Sequence, residues 1–184
     1  GQLSHLYVYE DNTSLMTKIL ALCKPVLLNR DSLIDTYLSG SNCLKSADGY
    51  PATLTNWDKP AMSLIGGFWM KYEYNASTNE KITKISPYKV AGYKYVRRRF
   101  IGMFNGNTVT NSADGSSKTF LCSNYDVYTT QNISLENAHS YAKNLGTHFR
   151  AMADQDLDVY ALLFSLFKGT VHTQGVYEGI TNVN

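Results

Sequence analysis

The stretch Ala61–Tyr74 constrains the fold of this chain more than any other part of the sequence. It holds two short apolar runs on either side of Gly66 and Gly67, and the second run alternates between two sets of side chains. One set is Phe68, Met70, Tyr72 and Tyr74, and the other is Trp69, Lys71 and Glu73. Because successive side chains of a strand point to opposite faces, the alternation predicts two β-strands joined by a glycine bend or bulge. The fold is therefore expected to contain a β-sheet.

Further extended segments follow this pair of strands. After a short polar turn, Lys81–Ile85 predicts a returning strand, and Tyr93–Phe104 predicts another extended stretch. Asn105–Lys118 contains an Asn-Gly and an Asp-Gly pair, which are typical of tight turns, so it is predicted to form a hairpin or loop at the surface. Two shorter candidate strands lie later in the chain, at Thr147–Met152 and Gly169–Glu178.

The last third of the chain carries two predicted helices. Ser134 is placed to cap the first helix, Glu136 favours the positive end of its dipole, and Gly146 is placed to end it. The second helix is predicted to begin at Asp154 or Asp156. Its large apolar residues are Leu157, Leu162, Leu163, Phe164, Leu166 and Phe167. They cover nearly all sides of the helix, which is therefore expected to lie at the centre of the core.

The first forty residues are predicted to be helical. The first helix carries apolar residues at helical spacing and ends before Pro25, which cannot continue a helix. A second short helix is predicted to be capped by Asn29 or Asp31 and to end at Gly40. Its apolar residues are Leu33, Ile34, Tyr37 and Leu38. Polar residues follow and mark a boundary between this segment and the rest of the chain.

Together these patterns predict an α+β fold, in which a twisted and mostly antiparallel sheet is packed with two helices. The expected organisation is a helical N-terminal segment at residues 1–40 and a domain at residues 41–184.

The composition indicates a surface that depends on hydrogen bonds and aromatic contacts more than on charge. Charged residues make up 17% of the chain, below the roughly 25% of soluble domains, and there are fourteen tyrosines. The formal charge is only +2, and Arg97–Arg99 is the one basic run. In a strand, neighbouring side chains alternate between faces, so this triplet predicts a solvated edge and not a nucleic-acid surface. No nucleic-acid partner is expected.

The residues that carry metal and nucleophilic chemistry match no known pattern. Cys23, Cys43 and Cys122 are odd in number and lack a CxxC pair, so they predict neither a disulfide framework nor a zinc site. Cys122 follows an apolar run and is expected to be a buried thiol. Three of the four histidines and three nearby carboxylates also lack metal-ligand spacing. They are His139, His148, His172, Asp154, Asp156 and Asp158. We therefore expect no catalytic residue, metal or cofactor. We also expect no membrane span, because no run of about 18 apolar residues occurs.

Six short stretches occur in an order that resembles a known group of virus proteins. The first three are 47–54 (ADGYPATL), 60–64 (PAMSL) and 67–72 (GFWMKY). The others are the helix after Ser134, the segment 146–152 (GTHFRAM) with the apolar helix after it, and 169–181 (GTVHTQGVYEGIT). In this order they resemble bacteriophage tail- or head-fibre-like structural proteins with a C-type-lectin or formylglycine-generating-enzyme-like fold. The resemblance covers roughly residues 40–184.

This resemblance implies a non-enzymatic structural and attachment role on a virion. The implied partners are further copies of the chain in a homo-oligomer such as a trimer, other virion proteins, and a glycan or protein of the host surface. The chain departs from the family's active members, because it lacks both the C-terminal cysteine pair of the oxidases and the calcium motifs of the sugar-binding lectins. In this fold the ligand loops follow the second helix and its next strand, so part of the binding face is expected beyond Asn184.

Two rival functions stay open at this point. The first is a carbohydrate-binding module that uses exposed Tyr and Trp, and the second is an oxidase of the formylglycine-generating type. The candidate binding residues are Trp57, Trp69, Tyr72 and Tyr74, because aromatic side chains offer apolar area and hydrogen-bonding groups at small entropic cost. The alternative is that both tryptophans belong to the core. A groove lined by exposed aromatics would favour the module, and a buried trimer interface would favour the fibre.

Overall fold

The computed structural model describes residues 13–112 and 115–168 and has an α+β fold with antiparallel sheets. Its helices are α1 (Thr13–Ala21), α2 (Leu135–Leu145) and α3 (Asp154–Lys168). Its strands are β1 (Lys24–Leu28), β2 (Ile34–Tyr37), β3 (Ala61–Ile65), β4 (Phe68–Asn75), β5 (Glu80–Ser86), β6 (Lys94–Val96), β7 (Arg99–Gly102), β8 (Asn107–Asn111) and β9 (Lys118–Cys122).

The described chain divides into two compact units built from interleaved segments. The first unit holds residues 13–20, 67–97 and 153–168, and the second holds 21–66, 98–112 and 115–152. Gly66 and Gly67 lie where the chain passes from one unit to the other, between β3 and β4. The two predicted strands on either side of these glycines are confirmed, but they belong to different sheets.

The second unit is built on a four-stranded sheet with the order β2-β1-β3-β7. Its strand β1 is buried on both faces, which is why its sequence is a continuous apolar run and not an alternating one. On one face Val26 and Leu28 pack with Leu64. On the other face Leu27 packs with a second apolar cluster that contains Leu38. The sheet therefore forms the centre of a core with two apolar layers.

The hairpin β8–β9 and helix α2 complete the second unit. Phe120 of β9 is fully buried and packs with Leu145 near the end of α2. The predicted cap is confirmed, because the Ser134 side chain accepts a hydrogen bond from the Asn137 N–H at 3.2 Å. Gly146 ends the helix as predicted but in an extended conformation. Glycine is required there because a Cβ would collide with the Arg30 carbonyl oxygen.

The first unit contains a three-stranded antiparallel sheet with the order β5-β4-β6. Strands β4 and β5 pair continuously from Trp69 opposite Ser86 to Asn75 opposite Glu80. This long hairpin confirms the predicted returning strand and the predicted turn. The face of β4 that begins with Phe68 is buried at its start and exposed towards the turn.

The predicted helix at 31–40 is wrong, because this segment contains strand β2, which pairs with β1. The Asp31 carboxylate accepts the Leu33 N–H at 3.0 Å, and Ser32 has a φ of 68°. These residues therefore form a tight turn between β1 and β2, although Asp is also a common helix cap. The first helix is confirmed, but residues 24–28 that follow it form β1. The domain boundary at residue 40 stays a prediction.

Two predicted strands differ from the structure. Tyr93–Phe104 is split into β6 and β7, which belong to the two different units, so the face alternation expected across Arg97–Arg99 does not apply. The candidate strand at 147–152 is wrong: it begins with a turn in which the Phe149 N–H donates to the Gly146 carbonyl at 3.0 Å. The candidate strand at Gly169–Glu178 lies outside the described residues.

Helix α3 is only partly buried, contrary to the prediction that it lies at the centre of the core. Leu157 and Tyr160 are each 50% exposed, whereas Asp156 and Ser165 are buried. The Asp156 carboxylate accepts the Ala153 N–H at 3.1 Å, so it stabilises the beginning of the helix as the sequence predicts. The helix buries one side and leaves apolar residues of the other side at the surface.

Candidate functional site

The four predicted binding residues lie in two different parts of the molecule. Trp69, Tyr72 and Tyr74 all belong to β4 in the first unit, whereas Trp57 belongs to the second unit. The structure therefore brings three of the four together on one strand.

Trp57 packs inside the second unit. Its ring lies 4.5 Å from the ring of Phe120, and the guanidinium of Arg30 lies 5.4 Å from both rings. Arg30 also donates to the last carbonyls of α2, with 2.9 Å from Nε to the Leu145 oxygen and 3.1 Å from its Nη2 to the Asn144 oxygen. A cation at the C-terminal end of a helix stabilises the helix dipole. Trp57 is half-buried in this contact network, as the alternative of a core tryptophan supposes.

Trp69 is half-buried against an aromatic neighbour on β6. It lies opposite Tyr95 in the register of the two strands, and the two ring centroids are 5.2 Å apart. The Lys89 ammonium lies 5.9 Å from the Trp69 ring. A Cβ on Gly67 would collide with the Tyr95 ring, so the glycine beside β4 makes room for this aromatic pair.

Tyr72 and Tyr74 form the exposed part of β4, with 70% and 60% of their surfaces accessible. They lie on one face of the hairpin, where the register puts Thr83 opposite Tyr72 and Lys81 opposite Tyr74. We call these four residues the tyrosine face. The Tyr74 hydroxyl donates to Asn79 Oδ1 at 2.9 Å, which holds its ring against the turn. The alternation in β4 predicted the two tyrosines, but Lys81 and Thr83 were missed because their position depends on the register.

The opposite face of the same hairpin is held by ion pairs. Glu73 accepts from the Lys71 ammonium at 3.0 Å and from the Lys84 ammonium at 2.7 Å. The hydrogen bond from Lys84, followed by that from Lys71, keeps the pKa of Glu73 below its ordinary value. Strand β5 is the edge of its sheet, and lysines on an edge strand oppose pairing with further strands. These lysines therefore oppose the pairing of a further strand with β5.

The cysteines of the described chain are free thiols, and Cys122 is buried as predicted. Burial, and then the nearby Asp58 carboxylate, raise the pKa of Cys122 to about 12. Its thiol donates to the Trp57 carbonyl at 3.3 Å. A nucleophilic cysteine needs a lowered pKa, so this environment does the opposite of activating it. Burial also raises the pKa of Cys23.

The remaining predicted absences concern metals and membranes. Among residues 13–112 and 115–168, no group of three or more His, Cys, Asp or Glu side chains is placed to hold a metal ion. His172 lies outside the described residues. Within the same part of the chain, no helix is both long enough and apolar enough to span a bilayer.

Comparison with known proteins yields no match: no protein-family model, no curated protein and no solved structure is significantly similar to this chain. The class that the fold defines is an α+β protein with mostly antiparallel sheets. Its candidate site is a β-hairpin with two exposed tyrosines on one face.

Proposed function

We propose that this chain is a non-enzymatic structural and attachment protein of a bacteriophage particle, and that the tyrosine face is its contact surface. The resemblance of the sequence to fibre-like proteins is what suggests the virion. The observation that supports a contact role is the exposure of Tyr72 and Tyr74 side by side on β4. Residues i and i+2 of a strand are about 7 Å apart, so the two tyrosines are neighbours on one face of the strand.

The chemistry of the tyrosine face suits a protein contact. A tyrosine ring buries a large apolar area, its hydroxyl keeps a hydrogen-bonding group, and only two side-chain torsions are lost on binding. Lys81 is the one charged residue of the four. A second copy of the chain would therefore meet little electrostatic repulsion at this surface. The preferred partner is another copy of the same chain.

The stiffness of the hairpin adds to this proposal. Continuous pairing between β4 and β5 and the two ion pairs of Glu73 hold the strands in one arrangement. A surface that is already ordered loses less conformational entropy when it binds. Two exposed aromatic side chains on an ordered scaffold are typical of the few residues that dominate binding energy.

The proposal is tested by removing the rings of Tyr72 and Tyr74 in a double serine variant. We expect the intact chain to form an oligomer at about 50 μM in multi-angle light scattering, and the variant to dissociate at least about tenfold more readily. The matched control replaces Tyr50 and Tyr128 by serine, since both are exposed tyrosines of the second unit. An unaltered monomer at this concentration, or equal effects of the two double variants, would contradict the proposal.

A further inference from the structure

The second unit contains a cleft beside its edge strand β2. The cleft has a volume of about 720 Å³ and is lined by residues that include Lys24, Asp35, Tyr37, Ser39, Gly40 and Asp48. A smaller cavity of about 220 Å³ also borders Asp35 and Thr36, and we call the two cavities together the groove beside β2. Small-molecule sites have volumes of roughly 300–1,000 Å³, and the larger part of this groove falls in that range.

An aromatic ring borders the cleft. Tyr37 is 45% exposed and lies on β2, where the Lys24 ammonium stands 5.5 Å from its ring centroid. The cation–π contact holds the ring in place while a large part of the side chain stays accessible. An ordered and accessible phenol ring is a platform on which a flat apolar face of a ligand stacks.

The polar groups of the groove are held in fixed positions. The Asp35 carboxylate accepts from the Lys59 ammonium at 2.8 Å and from the Thr36 hydroxyl at 2.8 Å. The hydrogen bond from Lys59, followed by that from Thr36, lowers the pKa of Asp35, which is therefore an anionic acceptor at neutral pH. Ser39 lines the same cleft, and its hydroxyl contacts the Ser41 hydroxyl at 3.1 Å and accepts the Ser41 N–H at 3.4 Å. A hydroxyl has one donor and two acceptor positions, so one position is left for a ligand.

The charges around the groove are balanced, which favours a neutral ligand. Its two carboxylates, Asp35 and Asp48, are matched by two ammonium groups, Lys24 and Lys59. A ligand that carries a net charge would gain little from such a site. A neutral ligand with many hydroxyl groups can use the hydrogen-bond donors, the acceptors and the aromatic ring that line the groove.

Two backbone groups at the end of β2, beside the cleft, are already hydrogen-bonded within the chain. The Ala47 N–H donates to the Tyr37 carbonyl at 2.8 Å, and the Ser39 N–H donates to the Lys45 carbonyl at 2.9 Å. An extended peptide would find these two groups already paired, which disfavours the addition of a strand at this end of the edge. Recognition in this cleft therefore depends on side chains.

We propose that the groove beside β2 binds a neutral saccharide, with Tyr37 stacking on a sugar ring and Asp35 and Ser39 binding its hydroxyls. This site goes beyond the contact surface proposed above, because it lies in the second unit and shares no residue with the tyrosine face. It needs no metal ion, since its ligand groups are a phenol ring, hydroxyls and a carboxylate that is already paired with Lys59.

The test is calorimetric titration of the intact chain with three neutral trisaccharides: maltotriose, cellotriose and triacetylchitotriose. We expect at least one to bind with a dissociation constant of about 1 mM or lower, and Tyr37→Ala to weaken it about tenfold. Gly40→Phe should block the cleft without disturbing Tyr37, because nothing lies within 4 Å of a Cβ at Gly40. Tyr128→Ala, at a side chain that is 99% exposed elsewhere in the second unit, is the matched control.

Several outcomes would contradict the proposal that the cleft binds a saccharide. One is that none of the three sugars binds at about 10 mM, and another is that binding survives both Tyr37→Ala and Gly40→Phe. A third is that binding is lost in the double serine variant of Tyr72 and Tyr74 but kept in Tyr37→Ala, which would move the sugar to the tyrosine face. Because self-association and sugar binding are measured separately, failure of one proposal is distinguishable from failure of the other.

Discussion

The sheets of the two units are built from similar strands but use their faces differently. In the second unit, β1 is covered on both sides, and Val26 and Leu28 are almost completely buried. In the first unit, β4 begins with a fully buried Phe68 but continues into Tyr72 and Tyr74, which are exposed. The tyrosines occupy the same face of the strand as Phe68, so the exposure changes along one face of one strand.

The two sheets therefore differ in how much apolar side-chain surface they bury. Burial of apolar side chains is the dominant favourable contribution to folding. In the second unit, aliphatic residues are buried in clusters on both faces of the sheet. The far end of the β4–β5 hairpin buries little, and its side chains remain available for a partner. Substitutions in the second unit are therefore expected to change stability, whereas substitutions on the tyrosine face are expected to change association.

The largest expected effect on stability comes from the aromatic core of the second unit. Phe120→Ala removes a fully buried ring that packs against Leu145 and Trp57, and we expect it to lower the free energy of unfolding by about 3–5 kcal/mol. Tyr72→Ala in the first unit should cost less than about 0.5 kcal/mol, because its side chain is already exposed. Urea unfolding of the two variants measures both effects. Equal losses of unfolding free energy in the two variants would contradict the difference in burial between the two sheets.

Charged residues give a second and smaller contrast. Arg30→Ala removes two hydrogen bonds to the end of α2 and the contact with two aromatic rings, so we expect a loss of about 2 kcal/mol. Lys84→Ala removes an exposed ion pair with Glu73 and should leave the urea midpoint nearly unchanged. Arg30→Lys, which keeps the charge but not the paired donors, is the control. If Lys84→Ala were the more damaging variant, the interior role of Arg30 would be refuted.

A helix cap gives the smallest contrast. Ser134→Ala should destabilise the second unit by about 1 kcal/mol, because the N–H of Asn137 loses its acceptor. Ser140→Ala, on an exposed position within the same helix, should be neutral or slightly stabilising, since alanine is the better helix former. Thermal unfolding followed by circular dichroism compares the pair. A destabilised Ser140→Ala beside an unchanged Ser134→Ala would contradict the cap.

The sequence was informative where a pattern is local and failed where the deciding partner is distant. The alternation in β4 and the cap at Ser134 were predictable because each depends on neighbouring residues. Strand β2 was not, because an aspartate followed by a short mixed run fits a capped helix as well as a turn and a strand. The cleft beside β2 was missed for the same reason.

The candidate site shows the same limit. Tyr72 and Tyr74 were predicted to share one face, and the structure adds that this end of the face is uncovered. Trp57 was grouped with them by residue type and by its nearness in sequence, but its packing against Phe120 and Arg30 depends on residues far along the chain. Exposure of an aromatic side chain is decided by what folds over it, and a single sequence does not display that.

Hydroxyl-radical footprinting of the intact chain at two concentrations shows whether the tyrosine face is a contact surface between copies of the chain. The measurement compares oxidation of individual tyrosines at about 1 μM and about 100 μM. Over this range a dimer with a dissociation constant of about 10 μM goes from about 15% to about 80% associated. We expect Tyr72 and Tyr74 to become protected at the higher concentration, while Tyr50 and Tyr128 in the second unit keep their reactivity. Unchanged oxidation of Tyr72 and Tyr74, or protection confined to the second unit, would contradict it.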